Sequence, residues 1–169
     1  MTVTTVALSA GRGERRATHD HPVEVELGRT VGRTVVFVCR HGAGKSRIAA
    51  AWFNRIAPPG WWATSAGVAP QATVSAHAAR LLADTPVEGL LDRGLPRPLA
   101  AVADPDVVVA IDCRPGEVPG ALTWALANQQ FDAALASELR QRAQALARTL
   151  AATTGSAEPR GPVSGQVPG

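Results

Sequence analysis

Apolar and polar residues alternate along most of the chain in blocks whose period switches between that of a strand and that of a helix. The apolar runs predict four buried or half-buried strands, at residues 34–39, 61–67, 105–112 and 120–126. Apolar residues at helical spacing predict helices at 46–57 and 74–84, and a long helix on the stripe Phe131, Leu135, Leu139, Ala143, Leu146 and Leu150. Strands that alternate with helices predict a three-layer α/β fold, with a parallel sheet and helices on both of its faces.

The two ends of the chain depart from this pattern. Residues 1–32 form an N-terminal extension in which only 23–28 alternates apolar and acidic residues, which predicts a short edge strand. Residues 33–152 are predicted as the single α/β domain. Residues 153–169 are rich in Gly, Pro and Ser from Gly155 onwards, and they predict a disordered tail.

Composition narrows the classes of function. The chain has 169 residues and is 46% apolar, which suits one domain with a real core. Its net charge of +3 comes without a Lys/Arg run, so no nucleic-acid partner is expected. No apolar run reaches about 18 residues and no export leader precedes the domain, so we expect a cytoplasmic protein with no membrane partner. Two cysteines and four histidines show no metal-ligand spacing, so neither a metal nor a cofactor is expected.

The segment FVCRHGAGKS, residues 37–46, allows two interpretations. Gly44, Lys45 and Ser46 match the end of a nucleotide-binding Walker A loop, but the position of its first glycine is Cys39. A magnesium ligand would have to come from Asp112, at the end of another predicted strand. Lys45 is the only lysine among 17 basic residues, which draws attention to this loop. Nucleotide binding is therefore kept as an alternative.

The second interpretation makes Cys39 a nucleophile. Cys39 ends a buried strand, at the edge where open parallel sheets bind ligands. A loop that runs from there into a helix turns backbone N–H groups and the positive helix end towards an anion. The same field favours a thiolate. Lys45 would hold the oxyanion, and Ser46 would hydrogen-bond the sulfur.

The segment VVFVCRHGAGKSRIAAAWFNRIA, together with WWATSAGVAP, RGLPRPL, VVVAID and VPGALTWAL, resembles the low-molecular-weight protein-tyrosine phosphatase superfamily. The resemblance covers roughly residues 34 to 150. It is most similar to the arsenate reductase branch, whose loop reads V-C-x-H-N-A-G-R-S. It implies a central four-stranded parallel sheet flanked by helices and a covalent intermediate on Cys39. It also implies assistance from Ser46 and an oxyanion cradle formed by Arg40, His41, Gly42, Ala43, Gly44 and Lys45.

Three positions depart from the pattern of the superfamily. Gly42 replaces the loop asparagine, and it can adopt the same left-handed backbone. Lys45 replaces an arginine, so a point charge replaces a two-pronged donor. Asn128 replaces the aspartate that protonates the leaving group, with Gln129 in place of the following proline. Because an amide cannot act as a general acid, that role is open.

Other residues could compensate for these departures. Asp112, Glu117 and Asp132 are candidates for the missing acid. In the arsenate reductases of this fold, further cysteines take up the oxidised sulfur, and Cys113 lies at a corresponding place after the third strand. The resemblance thus implies Cys113 as a resolving thiol, whereas the plainer interpretation is a buried structural cysteine.

Three functions are consistent with the sequence. The leading one is a cysteine-nucleophile enzyme that hydrolyses phosphate esters or reduces arsenate, with phosphate or arsenate as ligand and a thiol as reductant. The alternative is a degenerate relative that binds phosphate or a phosphorylated protein without turnover. The second alternative is the nucleotide-binding loop.

Overall fold

The computed structural model describes residues 32–155; the predicted edge strand and the residues after Gly155 lie outside this range. Within it, strands and helices alternate as predicted. In chain order they are β1 (Arg33–Cys39), α1 (Lys45–Ile56), β2 (Trp61–Gly67), α2 (Ala76–Leu82), β3 (Val107–Ile111), β4 (Leu122–Trp124) and α3 (Ala133–Gly155), with 3₁₀ helices at Glu88–Leu90 and Leu99–Ala101.

The four strands form one parallel sheet in the order β2-β1-β3-β4. β1 pairs with β2 along its whole length, so that Cys39 stands beside Gly67 at the end of the ladder. Because the strands are parallel, the segments that follow β1, β2 and β3 meet at the same edge of the sheet. The predicted α/β fold with a central four-stranded parallel sheet is confirmed.

The central strand β1 is buried on both faces, as its continuous apolar run predicts. Phe37 and Cys39 face a large core that β1 shares with α1, α2 and α3. Val36 and Val38 face the other side, where the 3₁₀ helix Leu99–Ala101 contributes to the cover. The three α-helices thus pack on one side of β1, although helices were predicted on both faces; the cover on the other side includes only the short 3₁₀ helix Leu99–Ala101 and neighbouring loop residues.

Element ends differ from the prediction by a few residues. α1 begins at Lys45 rather than at residue 46, and α2 is shorter than the predicted 74–84. α3 continues to Gly155, so residues 153–155 are helical although they were predicted as the start of the tail. Among the described residues, no helix is long and apolar enough to cross a membrane.

Candidate functional site

The loop between β1 and α1 turns its carbonyl groups outwards. The segment after β2 donates N–H groups to four of these carbonyls at 2.8–3.2 Å, in the pairs Val68–Cys39, Ala69–Arg40, Gln71–His41 and Ser75–Ala43. The Gly42 carbonyl accepts from the Arg47 side chain at 2.9 Å, and the Gly44 carbonyl accepts from the first turn of α1. The shape of the loop is therefore fixed from outside, by the segment after β2 and by the first turn of α1.

The N–H groups of the same loop, at residues 40–46, have no acceptor anywhere between residues 32 and 155. A trans peptide directs its N–H away from its C=O, so carbonyls that face outwards leave the N–H groups facing the loop interior. Unpaired N–H groups at the start of a helix form a preformed site for an anion. The loop backbone therefore has the arrangement of N–H groups that the predicted cradle would need.

Glycine is required at two positions where the loop touches β2. Gly42 has a φ of +64°, the left-handed conformation expected of the asparagine that it replaces. A Cβ on Gly42 would stand 2.7 Å from the backbone nitrogen of Gly67, and a Cβ on Gly67 would meet Gly42 as closely. The two backbones are therefore in direct contact, and neither position has room for a side chain.

The predicted nucleophile lies at the base of this loop. Cys39 is 6% exposed, and its Sγ is 3.2 Å from the hydroxyl oxygen of the fully buried Ser46. The thiol donates to that oxygen while it is neutral, and the hydroxyl donates to the sulfur once it is ionised. The structure thus brings together Cys39 and Ser46 in the geometry that thiolate assistance needs.

An open cleft of about 520 Å³ lies in front of the loop. Its lining residues are Cys39, Arg40, His41, Ala43, Gly44, Lys45, Gln71, Ser75, His77, Ile111, Asp112, Gln129 and Phe131. Phe131 packs on the loop so closely that a Cβ on Gly44 would be 2.6 Å from its ring. The His77 and Phe131 rings lie 5.5 Å apart and form one aromatic wall, and neither residue was predicted as part of the site.

Lys45, the predicted oxyanion ligand, is held by an acidic partner. Its ammonium donates to Asp112 Oδ2 at 2.6 Å and to Gln129 Oε1 at 2.7 Å. The side chains of Lys45 and Asp112 are only 13% and 16% exposed, so water screens this pair weakly. Asp112 is also fixed by the N–H of Leu126, which donates to its other oxygen at 2.8 Å. The cation of the loop is therefore compensated in the free chain.

The two other polar loop residues face the rim of the cleft. Arg40 is half exposed, and its guanidinium pairs with Glu117 at 3.3 Å. His41 is exposed and lines the cleft, while its carbonyl accepts from Gln71. Both residues line the cleft.

Asn128 stands apart from the cleft. Its side-chain N–H groups donate to both carboxylate oxygens of Asp132, at 2.8 and 2.9 Å. Hydrogen bonds from the Leu135 N–H and from Asn128 lower the pKa of Asp132, so it is ionised at neutral pH and has no proton to give. Glu117 is occupied by Arg40. Of the three candidate replacement acids, only Asp112 lines the cleft.

Cys113 packs on the face of the sheet opposite Cys39. Its Sγ lies 3.7 Å from the Val38 carbonyl oxygen and 3.6 Å from that of Ile111. Burial, and then the negative charges of Cys39 and Glu117, raise the pKa of Cys113 to about 11. Both thiols are free. A disulfide between them would need one of the thiols to move across the end of β1.

Arg47 contacts the loop and was not predicted as a site residue. It is 2% exposed, and its guanidinium donates to the Gly42 carbonyl at 2.9 Å and to the Asp92 carbonyl at 2.5 Å. Burial lowers the pKa of Arg47, while the neighbouring Asp92 and Cys39 raise it. The sequence signal was available, because the residues that follow Arg47 in α1, IAAAWF, are all apolar. A charge among them must be buried and must have partners.

Metal binding finds no support in the arrangement of side chains. Between residues 32 and 155, no three His, Cys, Asp or Glu side chains are grouped so that they could hold an ion.

Comparison with known proteins gives structural relatives. No protein-family model matches the chain, and a comparison with curated proteins finds no match. Arsenate reductase from Archaeoglobus fulgidus is 28% identical, with a TM-score of 0.53 over 68% of this chain and 98% of that protein. A thioredoxin-dependent arsenate reductase from Corynebacterium glutamicum is 22% identical, with a TM-score of 0.58 over 82% of this chain and 72% of that protein.

A third similar structure is an arginine phosphatase. The YwlE arginine phosphatase from Geobacillus stearothermophilus is 20% identical, with a TM-score of 0.59 over 76% of this chain and 99% of that protein. Arsenate reductases and this phosphatase share one superfamily, so these matches confirm the resemblance inferred from the loop and the strands. This chain has the fold of the low-molecular-weight protein-tyrosine phosphatase superfamily.

Proposed function

We propose that this chain is an enzyme in which Cys39 attacks the central atom of a bound oxyanion. The observation that carries the proposal is the loop of residues 40–46, whose unpaired N–H groups face the interior beside a buried thiol that Ser46 contacts at 3.2 Å. Donors fixed in advance stabilise the charge that builds up on the oxyanion during attack, without reorganising at that moment. The same donors favour the thiolate.

Among oxyanion reactions, we favour arsenate reduction over the hydrolysis of phosphate esters. Asn128 cannot protonate an ester oxygen, and it faces Asp132 rather than the cleft. The oxygen that leaves arsenate is a hydroxyl, which becomes water with one proton from solvent. The 28% identity to an arsenate reductase, which extends over almost all of that protein, supports the same choice.

The proposed reaction takes its two electrons from an external thiol reductant. The Cys39 thiolate forms a sulfur–arsenic bond as the As–OH bond breaks. A thiol of the reductant then attacks the Cys39 sulfur, which forms a disulfide and returns the electron pair of the sulfur–arsenic bond to arsenic as arsenite. A second external thiol releases Cys39. Cys113 could take the first of these thiol roles only after it leaves its position on the opposite face.

A second candidate function is binding of phosphate or a phosphorylated protein without turnover. The ion pair between Lys45 and Asp112 favours it, because the only lysine does not reach freely into the loop. In this case Cys39 would contact the oxyanion without forming a bond to it. Both candidates use the same cradle, so binding alone does not separate them.

Product formation separates them. The full chain is incubated with arsenate and a dithiol or thioredoxin, or with an aryl phosphate, and arsenite and phenol are measured; Cys39→Ser is the control. Arsenite that depends on Cys39 supports the reductase, and phenol without arsenite replaces it with the phosphatase. Oxyanion protection of Cys39 from alkylation, with neither product, supports the binding protein. Alkylation of Cys39 that no oxyanion slows would overturn both.

A further inference from the structure

We propose that Arg47 is a positioning residue that holds the Gly42–Ala43 peptide and supplies the standing positive charge of the Cys39 loop from behind. The proposal rests on the proposed function, because it concerns the same thiolate. It assigns to a buried helix residue the electrostatic role that the sequence pattern gives to Lys45.

The charges in front of the loop are already compensated. Lys45 meets Asp112 at 2.6 Å, and Arg40 meets Glu117 at 3.3 Å. A cation that bonds closely to a carboxylate projects little field beyond the pair. In the free chain, these two side chains therefore add little positive field at the Cys39 sulfur.

Arg47 differs from them in its surroundings. Its carboxylate partner, Asp92, is 3.7 Å away, and that side chain is 37% exposed and also contacts Arg97 at 2.9 Å. The strongest contacts of the Arg47 guanidinium are neutral carbonyls, those of Gly42 and Asp92. Its charge is therefore the least compensated of the cations around the loop, and it is 2% exposed, where solvent screens it poorly.

Arg47 acts on the loop N–H groups through its hydrogen bond to the Gly42 carbonyl. The Arg47 Nε donates to the Gly42 carbonyl at 2.9 Å, so this carbonyl points to the back of the loop. The N–H on the other end of the same trans peptide belongs to Ala43 and points the opposite way, towards the oxyanion position. A cation on the carbonyl polarises the peptide and makes that N–H a stronger donor.

The charge of Arg47 and its structural support of the loop can be tested separately. In a Cys113→Ser background, the alkylation rate of Cys39 is measured from neutral to alkaline pH for two variants. Arg47→Gln keeps a donor for the Gly42 carbonyl but removes the charge, whereas Arg47→Lys keeps the charge. We expect Arg47→Gln to slow alkylation about tenfold near pH 7 and to leave it unchanged near pH 10, because protein thiols in general are largely ionised at the higher pH. Arg47→Lys should retain most of the alkylation rate that the wild type has at neutral pH.

A variant of Asp92 should change the alkylation rate in the opposite direction, and a variant of Arg97 serves as the control. Asp92→Asn removes the nearest carboxylate of Arg47, so alkylation near neutral pH should become a few-fold faster. Arg97→Met removes the other cation that contacts Asp92 and leaves the Asp92 carboxylate in place, so it should not accelerate alkylation. Should Arg47→Gln fail to fold, the acceleration in Asp92→Asn still tests the charge.

The outcomes distinguish this inference from the proposed function. Wild-type Cys39 that alkylates at the rate of an ordinary thiol, with no oxyanion protection, refutes the proposed function whatever the Arg47 variants do. The role of Arg47 alone is refuted if Cys39 is reactive and is protected by an oxyanion, but its alkylation rate at neutral pH is the same as wild type in both Arg47→Gln and Asp92→Asn. If both Arg47 variants lose alkylation rate equally at neutral and at alkaline pH, Arg47 supports the loop structurally and its charge has no role.

Discussion

Replacement of Asp112 by asparagine should tighten oxyanion binding. The carboxylate holds the only lysine of the chain at 2.6 Å, inside the cleft that the oxyanion has to enter. Asparagine has the same shape and can still accept from Lys45 and from the Leu126 N–H. The substitution therefore removes a charge and changes the contacts little.

The size of the effect follows from the geometry. An oxyanion bonded to the ammonium of Lys45 would stand about 4.5 Å from the Asp112 oxygen, since two hydrogen bonds of ordinary length meet at one tetrahedral nitrogen. Two unit charges at that separation repel by about 3–4 kcal/mol at an effective dielectric constant of about 20. Solvent in the open cleft reduces this to about 2 kcal/mol, which corresponds to roughly thirtyfold tighter binding.

Calorimetric titration with phosphate and with arsenate measures the effect directly. The matched control is Glu117→Gln, which removes the carboxylate that pairs with the half-exposed Arg40 and should change the dissociation constant less than about threefold. The double variant with Lys45→Met should lose the gain, because the freed ammonium is its source. A dissociation constant for Asp112→Asn within threefold of the wild type, or a weaker one, would refute the idea that Asp112 competes with the oxyanion for Lys45.

Turnover of the same variant tests whether Asp112 has a second role. If Asp112 only compensates Lys45, Asp112→Asn should keep or raise the rate of arsenite formation. If it also delivers a proton, turnover should fall by about 10²–10⁴-fold while binding becomes tighter. The two results are opposite in sign, so one set of measurements decides between them.

Three further predictions follow from other contacts. Gly42→Ala should destabilise the chain by several kcal/mol more than Gly60→Ala, because both positions have positive φ but only the first would place a Cβ 2.7 Å from backbone; chemical denaturation measures both, and equal losses would contradict it. Since the pKa of Cys113 is raised to about 11, its contribution to stability should be complete below pH 9.0 and should be lost as the pH rises towards 11; denaturation of wild type and Cys113→Ser across this range checks the sign. Asn128→Asp should lower the melting temperature at neutral pH and less so in acid, because it sets a second carboxylate against Asp132; an unchanged melting temperature would argue against the contact.

The sequence was sufficient for the local parts of the site. A buried strand that ends in Cys39, a glycine-rich loop and an apolar helix are consecutive, so periodicity and turn chemistry predict them together. The left-handed Gly42 followed from the same segment. The superfamily resemblance added the expectation that four strands join one parallel sheet, whereas their order β2-β1-β3-β4 came only with the structure.

Contacts between segments that are distant in the chain could not be predicted from the pattern of apolar and polar residues. Lys45 and Asp112 are 67 positions apart, and nothing in either segment shows that their side chains meet. The resemblance places Asn128 at the acid position, and a carboxylate four residues later holds its side chain away from the cleft. Side-chain direction depends on such pairings, which spacing along one segment does not encode.

The outward-facing carbonyls of the loop have a consequence for the order of folding. Most of their donors, from Val68 to Ser75, lie after β2 in the chain. A nascent chain that ends near Gly60 already contains the thiol, its serine and the buried arginine, but it lacks the template that turns the loop amides inwards. Assembly of β2 against β1 should therefore precede any ability to bind an anion. Reactivity of the thiol would then report completion of the sheet, and a ribosome-bound fragment would be protected from premature oxyanion chemistry by topology alone.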